Sequence, residues 1–222
     1  DPLGGPKKEV SGTFIARIPS LNDLFTSFEN SEDEIIKDAE EKLSSIIKLK
    51  NKIKEARLDL LKTDDPSWEQ QQKTKDSIGE IEDQIAEFQK LNEKLNSLNK
   101  QSEKHNLFSE GITEKFRDLQ KLVKEIFPPG MFEDMETMKN ALDKLDVKDM
   151  ISILENISNN LNKTEQELDR FLDIFQRIKA EQKVDEIRKR VEQLAKNQDN
   201  LDQQIRSMNK QTDSSIFKRL TK

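Results

Sequence analysis

Cysteine and tyrosine are absent from the 222 residues, and tryptophan occurs once, at Trp68. The missing cysteine excludes disulfides, thiol catalysis and thiolate metal sites. With aromatics confined to eleven Phe and that one Trp, the chain lacks the bulk to wrap a thick globular core. It has enough to line a narrow seam between helices. Surplus positive charge is also missing: the net charge is −6. That balance disfavours non-specific nucleic-acid binding, which needs a basic surface that releases counterions. No run approaches the ~18 apolar residues of a membrane span, and no signal peptide precedes the first helical pattern. The chain opens at Asp1 in a Pro/Gly-rich stretch, DPLGGPKK, and reads as a piece of something longer, so these last two absences concern the piece alone.

What is present is charge and helical periodicity. Charged residues make up 37% and hydrophobic ones 32%. The charges are dispersed and the apolar residues recur at helical spacing, which argues for coiled coil or long helix over disorder. The expected fold class is all-α: an antiparallel bundle of long helices at about 20–62, 66–104, 109–127, 131–145 and 147–209. A linker and strand-like end precede it at 1–19, and a frayed tail follows at 210–222.

Thr13 to Ile18 reads as a short strand with Phe14, Ala16 and Ile18 on one face. It is taken as the end of a neighbouring domain, because a lone strand has nothing to pair with. Pro19 ends it, and Ser20 with Asp23 forms a capping-box-like start to the first helix. The stripe Leu21, Leu24, Phe25, Phe28, Ile35, Ala39, Leu43, Ile46, Leu49, Ile53, Ala56 and Leu60 then runs without interior Gly or Pro, at about 1.5 Å per residue a helix of roughly 60 Å. At the first turn Asp65 is expected to cap and Pro66 to occupy the first helical position. The second helix follows Ile78, Ile81, Ile85, Phe88, Leu91, Leu95 and Leu98. So short a connection makes the two helices antiparallel neighbours.

Ser109 is the expected cap of a third helix on Ile112, Phe116, Leu119, Val123 and Ile126. Pro128-Pro129-Gly130 is read as the corner that ends it and turns the chain. A short fourth helix carries Met131, Phe132, Met135, Met138, Leu142 and Leu145. The last helix has two stripes. One runs from Met150 through Leu154, Ile157, Leu161, Leu168, Phe171 or Leu172 and Phe175 to Ile178. The other, Ile187, Val191, Leu194, Gln198, Leu201, Ile205 and Met208, alternates in steps of four and three, a clean heptad. The nine-residue step from Ile178 to Ile187 predicts a stutter or bend near 180–184.

Catalytic and metal-binding patterns are lacking. His105, the single histidine, reads as a solvated turn residue, since no ligand cluster surrounds it in sequence. The carboxylates read as helix faces, because a thin bundle offers no evident cleft to raise one pKa. Phosphate loops, Ser-elbow, zincin and EF-hand spacings do not occur. Trp68 is expected to stack on the first helix, with an interface position as the alternative. No cofactor, metal or small-molecule substrate is expected.

Two surfaces could bind a protein partner or a second copy. One is the heptad seam Ile187, Val191, Leu194, Gln198, Leu201, Ile205 and Met208. The other is an adaptable patch of Met131, Phe132, Met135 and Met138, where Met repacks easily, although core filling is the commoner role.

Three blocks carry a family resemblance. They are Arg17-Ile18-Pro19-Ser20-Leu21-Asn22-Asp23-Leu24-Phe25; Asn106-Leu107-Phe108-Ser109 followed by Phe116-Arg117-Asp118-Leu119-Gln120-Lys121-Leu122; and Glu165-Gln166-Glu167-Leu168-Asp169-Arg170 followed by Ala180-Glu181-Gln182-Lys183 and Asn197-Gln198-Asp199-Asn200-Leu201. Their order resembles an uncharacterised family of large Bacteroidota-like bacterial membrane proteins with a long coiled-coil-rich helical region. The Pro128-Pro129-Gly130 corner departs from that pattern. The resemblance implies no catalytic residue. It implies a parent anchored in a bacterial cell envelope, with this region outside the cytoplasm as a structural or interaction scaffold. The alternative reading is a soluble adaptor or secreted translocator-like protein that exposes the Met/Phe surface.

Overall fold

The computed structural model describes residues 19–63 and 65–220, with side chains described as far as 209. The strand expected at 13–18 lies outside the described residues. Five helices follow in order: α1 Leu21–Leu60, α2 Trp68–His105, α3 Glu110–Glu125, α4 Pro129–Lys144 and α5 Val147–Leu220. The fold is an all-α bundle of four layers, in which α3 and α4 together make one layer. α1 packs on α2 and most extensively on α5, while α3 and α4 fill the space between α2 and α5. Ion pairs fix the directions. Lys42–Glu87 at 3.4 Å and Lys52–Glu80 at 2.6 Å make α1 and α2 antiparallel. Arg57–Glu155 at 2.9 Å and Lys183–Glu29 at 3.1 Å do the same for α1 and α5.

The caps show why the chain breaks where it does. Ser20 and Asp23 form the expected box: the Ser20 hydroxyl accepts the Asp23 N–H at 3.1 Å, and the Asp23 carboxylate accepts the Ser20 N–H at 3.0 Å. At the first turn the cap is Ser67, not Asp65, and α2 starts after Pro66 instead of at it. Ser67 closes a second box with Gln70, which satisfies two orphan N–H groups where a lone Asp65 would satisfy one.

The corner at 126–130 also differs from expectation. α3 ends at Glu125, and Pro128 and Pro129 begin α4 as its cap and first residue, a position where a missing N–H costs nothing. Gly130 is helical and does not turn the chain. The Ile126 carbonyl is left without a helical donor there. The Thr164 hydroxyl of α5, wholly buried, donates to it at 3.0 Å. At the α4–α5 junction Leu145 adopts a left-handed conformation, φ 56°. It is half exposed, so it does not continue the α4 stripe.

The helix stripes form the core as the periodicity requires, with six Phe side chains grouped at one end and Phe88 packed separately against Phe127 at 5.0 Å. Phe28 meets Phe108 at 4.9 Å and Phe116 at 5.9 Å between ring centroids, and Phe116 meets Phe175 at 6.1 Å. This aromatic plug closes the end of the bundle from which α5 projects.

Candidate functional site

α5 is helical without interruption through 180–184 and onward to Leu220, past the 209 expected and through the segment expected to fray. The nine-residue step from Ile178 to Ile187 therefore marks a change of face, not a break. Nine residues at 3.6 per turn are two and a half turns, so the second stripe begins on the opposite side of the helix. The first stripe is buried through Ile178 and continues on the bundle side with the buried Gln182. The second stripe is open: Val184, Ile187, Val191, Leu194, Leu201, Ile205 and Met208 are between 53% and 68% exposed. Gln198 is exposed in the same row, and so is every residue from Val191 to Asn209. Val184 extends the heptad one position toward the bundle, giving eight seam positions over about 36 Å.

A set of polar contacts holds the base of this projecting segment. On the α1 side Lys179 pairs with Asp33, Lys183 with Glu29, and the Arg190 guanidinium lies 5.8 Å from the Phe25 ring centroid. On the other side Asp185 accepts the Ser109 backbone N–H at 2.8 Å, and the Lys189 ammonium donates to the Asn106 carbonyl. The Asp185 contact stands in for a capping box. Ser109 caps α3 without a side-chain bond of its own, and the residue three positions on is Ile112, which cannot reach back. Burial would raise the Asp185 carboxyl, but the hydrogen bonds from Ser109 and the charges of Arg188 and Lys189 outweigh it and hold it below the usual carboxylate range.

Beneath these contacts lies a polar pair that apolar periodicity does not reveal. Glu32 and Gln182 are 4% and 3% exposed and line a void of about 10 Å³ with Phe25, Phe28 and Phe108. Glu32 Oε1 and both polar atoms of the Gln182 amide make no hydrogen bond of good geometry. A void of that size is about one water probe. Burial pushes the Glu32 carboxyl up to about 8, against weaker opposing effects of Lys179, the Gln182 amide and Lys183. Near neutral pH Glu32 is therefore mostly the uncharged acid. The signal in the sequence was the seven-residue step from Phe28 to Ile35, whose intervening seam position is Glu32.

The other expected site residues are placed differently. Met131, Met135 and Met138 are buried in the core, so in the folded bundle they offer no adaptable surface. Only Phe132 of that group is exposed, beside an open groove of about 630 Å³ lined also by Glu82, Ile85, Met135, Glu136 and Lys139. Trp68 is 76% exposed and does not stack on α1. His105 is exposed at the end of α2. Among the described residues no group of three or more His, Asp or Glu could hold a metal ion, and no helix is long and apolar enough to cross a membrane.

No family model, curated protein or solved structure matches the chain.

Proposed function

We propose that this chain is a non-catalytic interaction scaffold in which the bundle holds the outer part of α5 as a helix-pairing rod. The observation that carries this reading is the open seam from Val184 to Met208: seven apolar side chains more than half exposed on one stripe. A row this long and regular is the pattern of one strand of a coiled coil, in which side chains of such a stripe fit as knobs into holes on a facing helix. Large contiguous apolar exposure on a folded protein marks an interaction surface. The polar contacts at 179–190 support the same reading, because they fix the direction in which the rod leaves the bundle.

The reading is tested in native cells with a photoreactive amino acid at Leu201 and, as control, at Gln203 on the opposite face. Adducts from Leu201 alone, abolished by Val191→Glu, are expected. No adduct at Leu201, or equal labelling at Gln203, overturns the proposal.

The larger setting, an extracytoplasmic region of a membrane-anchored bacterial envelope protein, is supported only by the three resembling sequence blocks. Fractionation of native cells tests it: the full-length protein in the membrane pellet is expected, and full recovery in the soluble fraction overturns it.

A further inference from the structure

We infer that the partner of the α5 seam is a second copy of this chain, docked antiparallel. This rests on the reading of the seam as a helix-pairing surface and adds to it who pairs and in which direction. With Val184, Val191, Gln198 and Ile205 at a positions, Ile187, Leu194, Leu201 and Met208 fall at d. One antiparallel register pairs all eight, each a facing a d: Val184 with Met208, Ile187 with Ile205, Val191 with Leu201 and Leu194 with Gln198, each taken twice. The contact is self-complementary and closes on a twofold axis. Such a pairing covers seven apolar side chains now more than half exposed, an area on the order of the roughly 800 Å² per partner that stable interfaces bury.

Charge decides the direction. In this register Arg188 of each copy lies across from Asp202 of the other at the e positions, giving two opposite-charge pairs. Both groups have only exchangeable surface partners within their own helix, Asp202 with Arg206 at 3.9 Å and Arg188 with Asp185 at 3.1 Å, and both Arg side chains are more than half exposed. Ala195 meets its own counterpart near the axis, where a small side chain lets the helices approach. A parallel pair gains no ion pair and sets Lys183 against Arg188 of the other copy at both edges. It also brings together two chains of net charge −6 along their bundles, which the antiparallel pair keeps at opposite ends. Antiparallel helix dipoles add in the same sense. A parallel pair would match Gln198 with itself. The antiparallel register instead places the two Gln198 amides in the layers flanking the axis, within reach of one another.

The chain has no cysteine, so single-thiol variants report the geometry directly. Sedimentation equilibrium of the purified chain across the micromolar range is expected to give twice the monomer mass, and Leu194→Glu the monomer mass, with thermal melts of the two unchanged from one another at a concentration too low for association. When a Val191→Cys chain is mixed with a Leu201→Cys chain and oxidised, the mixed disulfide is expected to dominate. A monomer at every concentration, a dimer that survives Leu194→Glu, or a Leu201→Cys homodimer in place of the mixed species each overturns the inference. A monomeric purified chain that still gives seam-dependent adducts in cells overturns the second copy alone and leaves the scaffold reading standing.

Discussion

Ile178 and Ile187 lie nine residues apart on one unbroken helix and face opposite ways: Ile178 is 2% exposed and Ile187 61%. Between them α5 passes from a core helix to a projecting rod, and the residues that manage the change are polar. Lys179, Gln182, Lys183, Asp185 and Lys189 carry the bundle-side contacts over the span where neither apolar stripe is available.

That division gives the first prediction. Leu161→Ala, at a wholly buried position, should destabilise the bundle by about 2–5 kcal/mol through lost burial and a residual cavity. Leu194→Ala on the open stripe should change the monomer's stability by no more than about 0.5 kcal/mol. Urea melts at a concentration too low for association check the contrast. Equal losses would mean the open stripe is covered within the chain.

Glu32 gives a pH dependence. Its folded pKa, about 8, is above the ordinary 4.5, so between those values the folded state binds the proton more tightly than the unfolded one. The stability it contributes is therefore fully present below pH 4.5 and is lost as pH rises through 8. The loss is on the order of 5 kcal/mol. Lys179, Lys183 and Asp33 face the same carboxyl and are common to wild type and variant, so the measurement is the difference between wild type and Glu32→Gln across that window. A constant difference would show that Glu32 does not titrate in it.

Thr164 supplies the donor for the Ile126 carbonyl at the α3–α4 corner. Thr164→Val keeps the shape and removes the hydroxyl, leaving a buried carbonyl without this partner. The expected cost is about 1–3 kcal/mol, measured by chemical denaturation. A neutral effect would mean that the carbonyl finds water.

Asp185 acts on α3 from across the bundle. Asp185→Ala should cost about 0.5–2 kcal/mol, as loss of an N-cap does. It should also speed hydrogen exchange at the Ser109 amide and the first turn of α3, leaving α1 exchange unchanged. Because this carboxyl is held low, its contribution is present above the ordinary Asp range and disappears as pH falls through the folded pKa.

Helix periodicity and turn chemistry are local, and they were legible in the residues. The stripes of α1, α2 and α3, the short connection that makes a hairpin, and the two separate stripes of α5 follow from 3.6 residues per turn and from Ser and Pro at the breaks. Local signals placed some starts imprecisely. Ser67 outcompeted Asp65 because Gln70 completes a box, and Pro128-Pro129 opened α4 because proline tolerates a helix start better than an interior. The polar residues at seam positions were not legible. Glu32, Thr164 and Gln182 hide inside seven- or nine-residue gaps between apolar neighbours, and only the helices around them decide that they are dry. Trp68 and Phe132 show the same limit from the apolar side: both are exposed, although Trp68 was expected to stack on α1 and Phe132 adjoins a Met131, Met135 and Met138 stripe that is core. Sequence determined that α5 carries two stripes nine residues apart, but that step suggested a bend near 180–184; only the unbroken helix turns the same step into two opposite faces. Tertiary structure alone decided which face is buried, because burial depends on how far the neighbouring helices reach: among the described residues α1 begins at Leu21, α2 stops at His105 and α3 begins at Glu110, and only the first residues of α1 come beside the second stripe, at Leu194.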